Sequence, residues 1–175
     1  NGLLDLGWAV ERQIMERPFN GEMRRAVVTG GKAAIFEAMD AVTGEYLFSI
    51  DLDMQNVFSE IDPRTGDKTM FPEAVLKPGE DTPGLAKNGV CPDALGARNM
   101  QTTSYNPATG MLYVPLQDTC INNLTGRRWQ KYPNPDEDGK WGMVKAVNLE
   151  TREVEWTTRQ YAPPASGHLT TDSGL

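Results

Sequence analysis

Apolar and β-branched residues gather along this chain in short runs separated by polar, glycine-bearing turns, a pattern that predicts strands rather than helices. The runs fall at residues 25–29, 34–39 and 46–50, then at 111–116, and finally at 142–147 and 154–159. A five-residue punctuation recurs beside them: Asp40-Ala-Val-Thr-Gly44, Asp62-Pro-Arg-Thr-Gly66, Asn106-Pro-Ala-Thr-Gly110 and, in weaker form, Asn148-Leu-Glu-Thr-Arg152. The Asp or Asn side chain caps such a turn, and the closing glycine supplies the positive φ that a short hairpin connection with a bulge requires. Two of the turns are followed by an aromatic in the next run, Phe48 and Trp156. The last three turns begin about 43 residues apart, the length of one four-stranded propeller blade. That spacing predicts an all-β fold of antiparallel four-stranded blades, about three to four of them, and argues for a propeller over a sandwich.

Composition agrees with this reading and narrows the partners. Seventeen glycines and 12 prolines leave little room for long helices, and 39% hydrophobic residues are enough for a core. The formal net charge of -7 lacks the footprint of a nucleic-acid or anionic-membrane binder, so no nucleic acid is expected as a partner. No stretch approaches the roughly 18 apolar residues of a membrane-spanning helix, and the opening NGLLDLGWAVERQ has no signal-peptide pattern. Both ends look cut. Residues 167–175 stop where a strand is due, and three to four blades cannot close a ring. The expectation is therefore a partial propeller domain over residues 1–175, truncated at both ends and completed by further blades or by another chain.

Cys91 and Cys120 leave three readings open on the residues alone: one disulfide, two free thiols, or half of a metal site. The absence of a Cys-x-x-Cys motif and the single histidine, His168, speak against structural zinc. His168 and Asn123-Leu-Thr125 read as incidental, and the acidic run Asn134-Pro-Asp-Glu-Asp-Gly139 as a solvated loop between strands.

Three stretches carry a more specific signal. Leu4-Asp-Leu-Gly-Trp8 comes first. Next is Val27-Val-Thr-Gly-Gly-Lys-Ala-Ala-Ile-Phe36, followed by Asp40 and Thr43-Gly44. The third is Cys91-Pro-Asp-Ala-Leu-Gly-Ala-Arg-Asn99, with Ser104-Tyr-Asn-Pro107, Leu112-Tyr-Val-Pro115 and Cys120 beyond it. In this order they resemble the pyrroloquinoline quinone (PQQ) dependent alcohol dehydrogenases, the quinoprotein family of methanol and ethanol dehydrogenases built as eight-bladed propellers. The resemblance covers nearly the whole chain.

The resemblance implies PQQ and calcium as cofactors and oxidation of a primary or secondary alcohol by hydride transfer to the quinone. It assigns Asp5 as catalytic base and metal ligand, and Lys32 and Asn99 as cofactor-binding residues. Lys32 would stabilise negative charge that grows on a quinone oxygen, and Asn99 would hydrogen-bond the cofactor. Family members that use lanthanides carry a second aspartate where this chain has Gly7, so calcium is the expected metal. Met100 stands where many relatives have tryptophan. The family pairing implies a Cys91–Cys120 disulfide and with it the periplasm, and the usual electron acceptor is a cytochrome c or a quinone. The competing expectation is a non-catalytic propeller scaffold that binds peptides or proteins by strand addition, which needs neither a quinone-facing lysine nor paired cysteines.

Overall fold

The computed structural model describes residues 4–8, 11–19, 21–81, 83–123 and 129–171. Leu124 and Thr125, and the last four residues of the stretch 167–175, lie outside the described residues. The strands in chain order are β1 (Gln13–Phe19), β2 (Glu22–Gly30), β3 (Ile35–Asp40), β4 (Tyr46–Asp51), β5 (Phe58–Ile61) and β6 (Lys68–Met70). There follow β7 (Ser104–Asn106), β8 (Met111–Gln117), β9 (Thr119–Asn122), β10 (Gln130–Pro133), β11 (Gly142–Asn148) and β12 (Glu153–Gln160). Two short 3-10 helices, Pro72–Ala74 and Gly84–Lys87, interrupt the strands. The fold is antiparallel β among the described residues, as the turn pattern predicts.

Among the described residues four sheets form, two of them four-stranded. The first is a meander, β1-β2-β3-β4; the second runs β7-β8-β11-β12, with β5-β6 and β9-β10 as two-stranded hairpins. The recurring turns behave as their side chains dictate. Asp40 Oδ1 accepts the N–H groups of Val42 and Thr43 at 2.9 Å each, Gly44 sits at φ 75°, and the β3–β4 register shifts at Ala38/Met39. The same turn recurs at Asp62 and Asn106, and at Asn148, where Arg152 takes the positive-φ position at 67°.

The spacing of those turns has a different origin from a blade repeat. The turns at Asn106 and Asn148 join β7 to β8 and β11 to β12, so both belong to one sheet. The intervening length comes from the β9-β10 hairpin and the acidic loop, inserted between β8 and β11, which pair directly. The Asp62 turn closes the small β5-β6 hairpin rather than a four-stranded sheet.

Facing sides of the two four-stranded sheets make one core. Ala26, Val28, Phe36, Ala38, Phe48 and Ile50 from the first pack with Leu112, Val114, Leu116, Met143 and Val147 from the second. Alternation along each strand puts these on one face. Burying each large aliphatic side chain contributes about 1.5 to 3 kcal/mol, which fixes the two sheets against one another. Strand β3 is covered on both faces, because Ile35, completely buried, points into a second cluster with Leu4, Leu6, Ala33, Val57, Phe58, Leu85 and Val90. This second cluster anchors the chain start beside the β2–β3 turn.

Candidate functional site

Leu4 and Leu6 are buried, and the alternation turns Asp5 between them outward. Asp5 adopts a positive φ of 51°, a left-handed conformation that aspartate takes more readily than most non-glycine residues. Trp8 lies on Gly31 so closely that a Cβ on Gly31 would come within 1.7 Å of its ring, and Lys32 N–H donates to Gly7 O at 3.4 Å. Residues 4–8 therefore run alongside the turn that carries Lys32. Lys32 Nζ donates to Asp5 Oδ2 at 2.8 Å, 27 residues away in sequence. With the Asp5 side chain 68% exposed, such a pair contributes about 1 kcal/mol or less to stability, so stability does not explain the arrangement.

The loop of residues 91–103 closes over the same turn. Ala97 N–H donates to Lys32 O at 2.8 Å, and Gly96 packs so tightly that a Cβ there would sit 2.5 Å from Lys32 Cβ. Asn99 lies three residues on. Its amide nitrogen donates to Leu95 O at 2.8 Å, and its backbone N–H donates to Gln101 Oε1 at 3.2 Å. Among the described residues no hydrogen bond joins Asn99 to Asp5 or Lys32; the link runs through the backbone at Ala97. Met100 is exposed.

A disulfide joins Cys91 to Cys120 and ties this loop to β9, where Val90 and Ile121 also form a backbone bridge. Asn56 holds the cysteine end a second time. Its Oδ1 accepts the Cys91 N–H at 2.9 Å, its N–H donates to Cys91 O at 3.0 Å, and its Nδ2 donates to Gly89 O at 3.0 Å. Asp93, almost fully buried, caps the following turn through Leu95 N–H and Gly96 N–H and pairs with Lys131 at 2.8 Å. Between the loop and the chain start lies a cavity of about 270 Å³ lined by Leu4, Val90, Ala94, Ile121 and Trp129. It is mostly apolar, and the residue after Leu4 is Asp5.

Two residues that sequence reasoning passed over hold the arrangement from beneath. Arg98 is buried, its Nη1 donating to Gly30 O at 2.7 Å and its Nη2 to Gln101 O at 3.2 Å and to the Glu11 carboxylate. Glu11 Oε1 in turn accepts the N–H and the hydroxyl of Thr103, each at 2.8 Å. The one signal in sequence was a lone arginine in a stretch of small residues, Gly96-Ala-Arg-Asn99. Burial opposes the Glu11 charge, but the bonds from Thr103 and the Arg98 guanidinium outweigh it and hold the carboxyl below the ordinary carboxylate range.

A carboxyl with a depressed pKa stabilises the fold only while ionised, so its contribution is full at neutral pH and is lost as pH falls through the folded-state value. The unfolding free energy of the wild type is therefore expected to fall, relative to Glu11→Gln, as pH drops beneath the ordinary carboxylate range. Asp40, held low by bonds from Thr43 and Val42, adds a loss of the same sign in both proteins, and Asp51, raised by burial, adds the opposite. Denaturation of the two proteins from about pH 7 to about pH 3 checks this, and a constant difference across the range would contradict it.

The donor set bears on cofactors. Among the described residues no group of three or more His, Cys, Asp and Glu side chains comes together. Calcium takes about six to eight oxygens. At this site the chain offers one carboxylate, Asp5, already bonded to an ammonium, so these residues do not by themselves make a calcium site. An anionic planar group suits the donors better, since the Lys32 ammonium stands on a tightly packed glycine turn against Gly96.

No family model matches the chain. Its curated relatives include the dehydrogenase subunit of alcohol dehydrogenase (quinone) from Gluconacetobacter polyoxogenes, 33% identical over 79% of this chain and 18% of that protein. The lanthanide-dependent methanol dehydrogenase of Methylorubrum extorquens is 25% identical over 92% of this chain and 30% of its own length. Among solved structures, a europium-containing methanol dehydrogenase superposes with a TM-score of 0.73 at 20% identity, over 90% of this chain and 29% of that one. The chain thus spans 18% and 30% of the length of these two curated relatives. Its four-stranded antiparallel sheets are blades of a β-propeller, and the chain is similar to a stretch of the quinoprotein alcohol dehydrogenases.

Proposed function

We propose that these residues form part of the active site of a PQQ-dependent alcohol dehydrogenase that oxidises a primary or secondary alcohol. The observation that carries the reading is the 2.8 Å pair between Lys32 Nζ and Asp5 Oδ2, 27 residues apart in sequence, with the Asn99 loop held on the Lys32 backbone through Ala97. A bound PQQ would supply the hydride acceptor. Asp5 Oδ1 is the atom assigned to take the alcohol hydroxyl proton, while Oδ2 stays bonded to Lys32. The Lys32 ammonium, bonded to Oδ2 and tied at its backbone to Ala97, keeps further N–H groups to donate a hydrogen bond to an oxygen on which negative charge grows. Asn99 offers its amide to the same cofactor. The apolar cavity lined by Leu4, Val90, Ala94, Ile121 and Trp129 begins at the residue next to Asp5.

Calcium belongs to the proposal through Asp5 alone, and its remaining oxygen ligands would come from outside these 175 residues. The Cys91–Cys120 bond supports an oxidising compartment, the periplasm in this reading, with a cytochrome c or a quinone as electron acceptor. The test uses the full-length protein loaded with PQQ and calcium, an alcohol and an artificial dye. Asp5→Ala is expected to lower dye reduction by about 10²- to 10⁴-fold, the usual worth of a general base. Undiminished turnover would remove Asp5 from the mechanism. If the wild type does not bind PQQ at micromolar concentration, as seen by absorbance of the bound quinone, the scaffold reading replaces the catalytic one.

A further inference from the structure

The geometry points to Arg98, fixed by Glu11, as a positioning residue that sets Lys32 and the Asn99 loop in register for the cofactor. The inference rests on the reading of Lys32 and Asn99 given above. Arg98 is 1% exposed, and its guanidinium fork reaches three separate parts of the chain. Gly30 O lies two residues before Lys32 on the β2–β3 turn, Gln101 O lies two residues after Asn99, and the Glu11 carboxylate lies on the segment that leads from Trp8 into β1. Glu11 also grips Thr103 at both its N–H and its hydroxyl and receives the Thr29 hydroxyl on its backbone oxygen at 3.1 Å. The pair therefore joins every segment that carries a proposed site residue, while touching none of those side chains itself.

The other ties among these segments are backbone bonds and apolar packing, which hold the main chain but leave the Lys32 ammonium itself with one solvent-facing partner. Lys32 sits on a turn with two glycines before it, and its ion pair with Asp5 is solvent-facing. A planar guanidinium presents donors in a fixed fork, so one side chain sets distances and angles among three acceptors at once. A lysine ammonium in its place would reach one of them. Arg98 Cζ also lies over the Phe36 ring, 5.5 Å from its centroid, which rests the fork against the core. Phe36 also lies under Gly30, where a Cβ would come 2.5 Å from its ring. The fork therefore transmits the rigid packing of the two sheets to the loop that carries the site.

The test compares wild type with Arg98→Met, Arg98→Lys and Glu11→Gln, and with Val114→Ala as a core variant that loses stability without touching the clamp. One measurement is the rate at which a brief pulse of an amine-acylating reagent labels Lys32, read by peptide mass spectrometry against exposed Lys77 in the same molecule. The other is the dissociation constant for PQQ in the full-length protein. Arg98→Met and Glu11→Gln are expected to raise Lys32 labelling toward that of Lys77 and to weaken PQQ binding about tenfold, with partial rescue in Arg98→Lys. Val114→Ala should leave both unchanged. Lys32 labelling that stays constant in Arg98→Met and Glu11→Gln, or that rises equally in Val114→Ala, overturns the inference. Should Arg98→Met fail to fold, the isosteric Glu11→Gln decides. Failure of the wild type to bind PQQ would sink the proposed function alone, because the labelling still reports whether the clamp positions Lys32.

Discussion

Lys32→Met in the PQQ-loaded protein is expected to lower kcat by about 10²- to 10³-fold while KM for the alcohol changes little, the pattern of a donor that acts on charge developed only in the transition state. The expectation follows from where the ammonium is held. It is bonded to Asp5 Oδ2, its backbone oxygen receives Ala97 N–H, and its Cβ lies against Gly96, so it has little freedom to follow a ground-state ligand. Methionine keeps most of the side-chain volume and removes the charge. On the proposed reading Lys32 and Asp5 work as one bonded pair, so the double variant with Asp5→Ala should be scarcely slower than the worse single one. A large rise in KM at constant kcat would instead make Lys32 an ordinary binding contact.

Removing the disulfide should have the largest effect on stability. Replacing Cys91 and Cys120 together by serine, or reducing the bond, is expected to cost about 3 to 4 kcal/mol, the chain-entropy value for a closed loop of about 30 residues. The native loop does not depend on that bond alone, because Asn56 holds both Cys91 backbone groups and Val90 pairs with Ile121. The loss therefore arises chiefly in the unfolded chain, and the reduced protein should keep the native strand content. Urea denaturation of the oxidised and double-serine proteins gives the difference; a loss below about 1 kcal/mol would mean that the loop is already constrained when unfolded.

How much of this was readable in the residues depends on the distance over which each interaction acts. The turns at Asp40, Asp62, Asn106 and Asn148 were legible because an Asp or Asn oxygen meets N–H groups two or three residues ahead, wherever the turn lies in the fold. The flanking strands β2, β3, β4, β8, β11 and β12 followed from their apolar runs. Strands β1, β5, β6, β9 and β10 did not, since QIMERPF, FSEI, KTM, TCIN and QKYP each mix polar with apolar residues and take their pairing from a neighbour. Asp5, Lys32 and Asn99 became visible as a set only through resemblance to a family, and the cysteine pairing likewise.

Local residue pattern is enough to specify an antiparallel β protein with capped hairpin turns, an acidic surface and a resemblance to known relatives. That the Asn106 and Asn148 turns share one sheet emerges from strand pairing alone, because an insertion and a blade repeat of equal length look alike along a chain. Packing in three dimensions likewise brings Asp5 to Lys32 and Arg98 to Glu11, 87 residues away. A buried charge and a solvated one are the same letter in sequence. What separates them is whether distant segments arrive to exclude water and supply the opposite charge, and that is settled by packing.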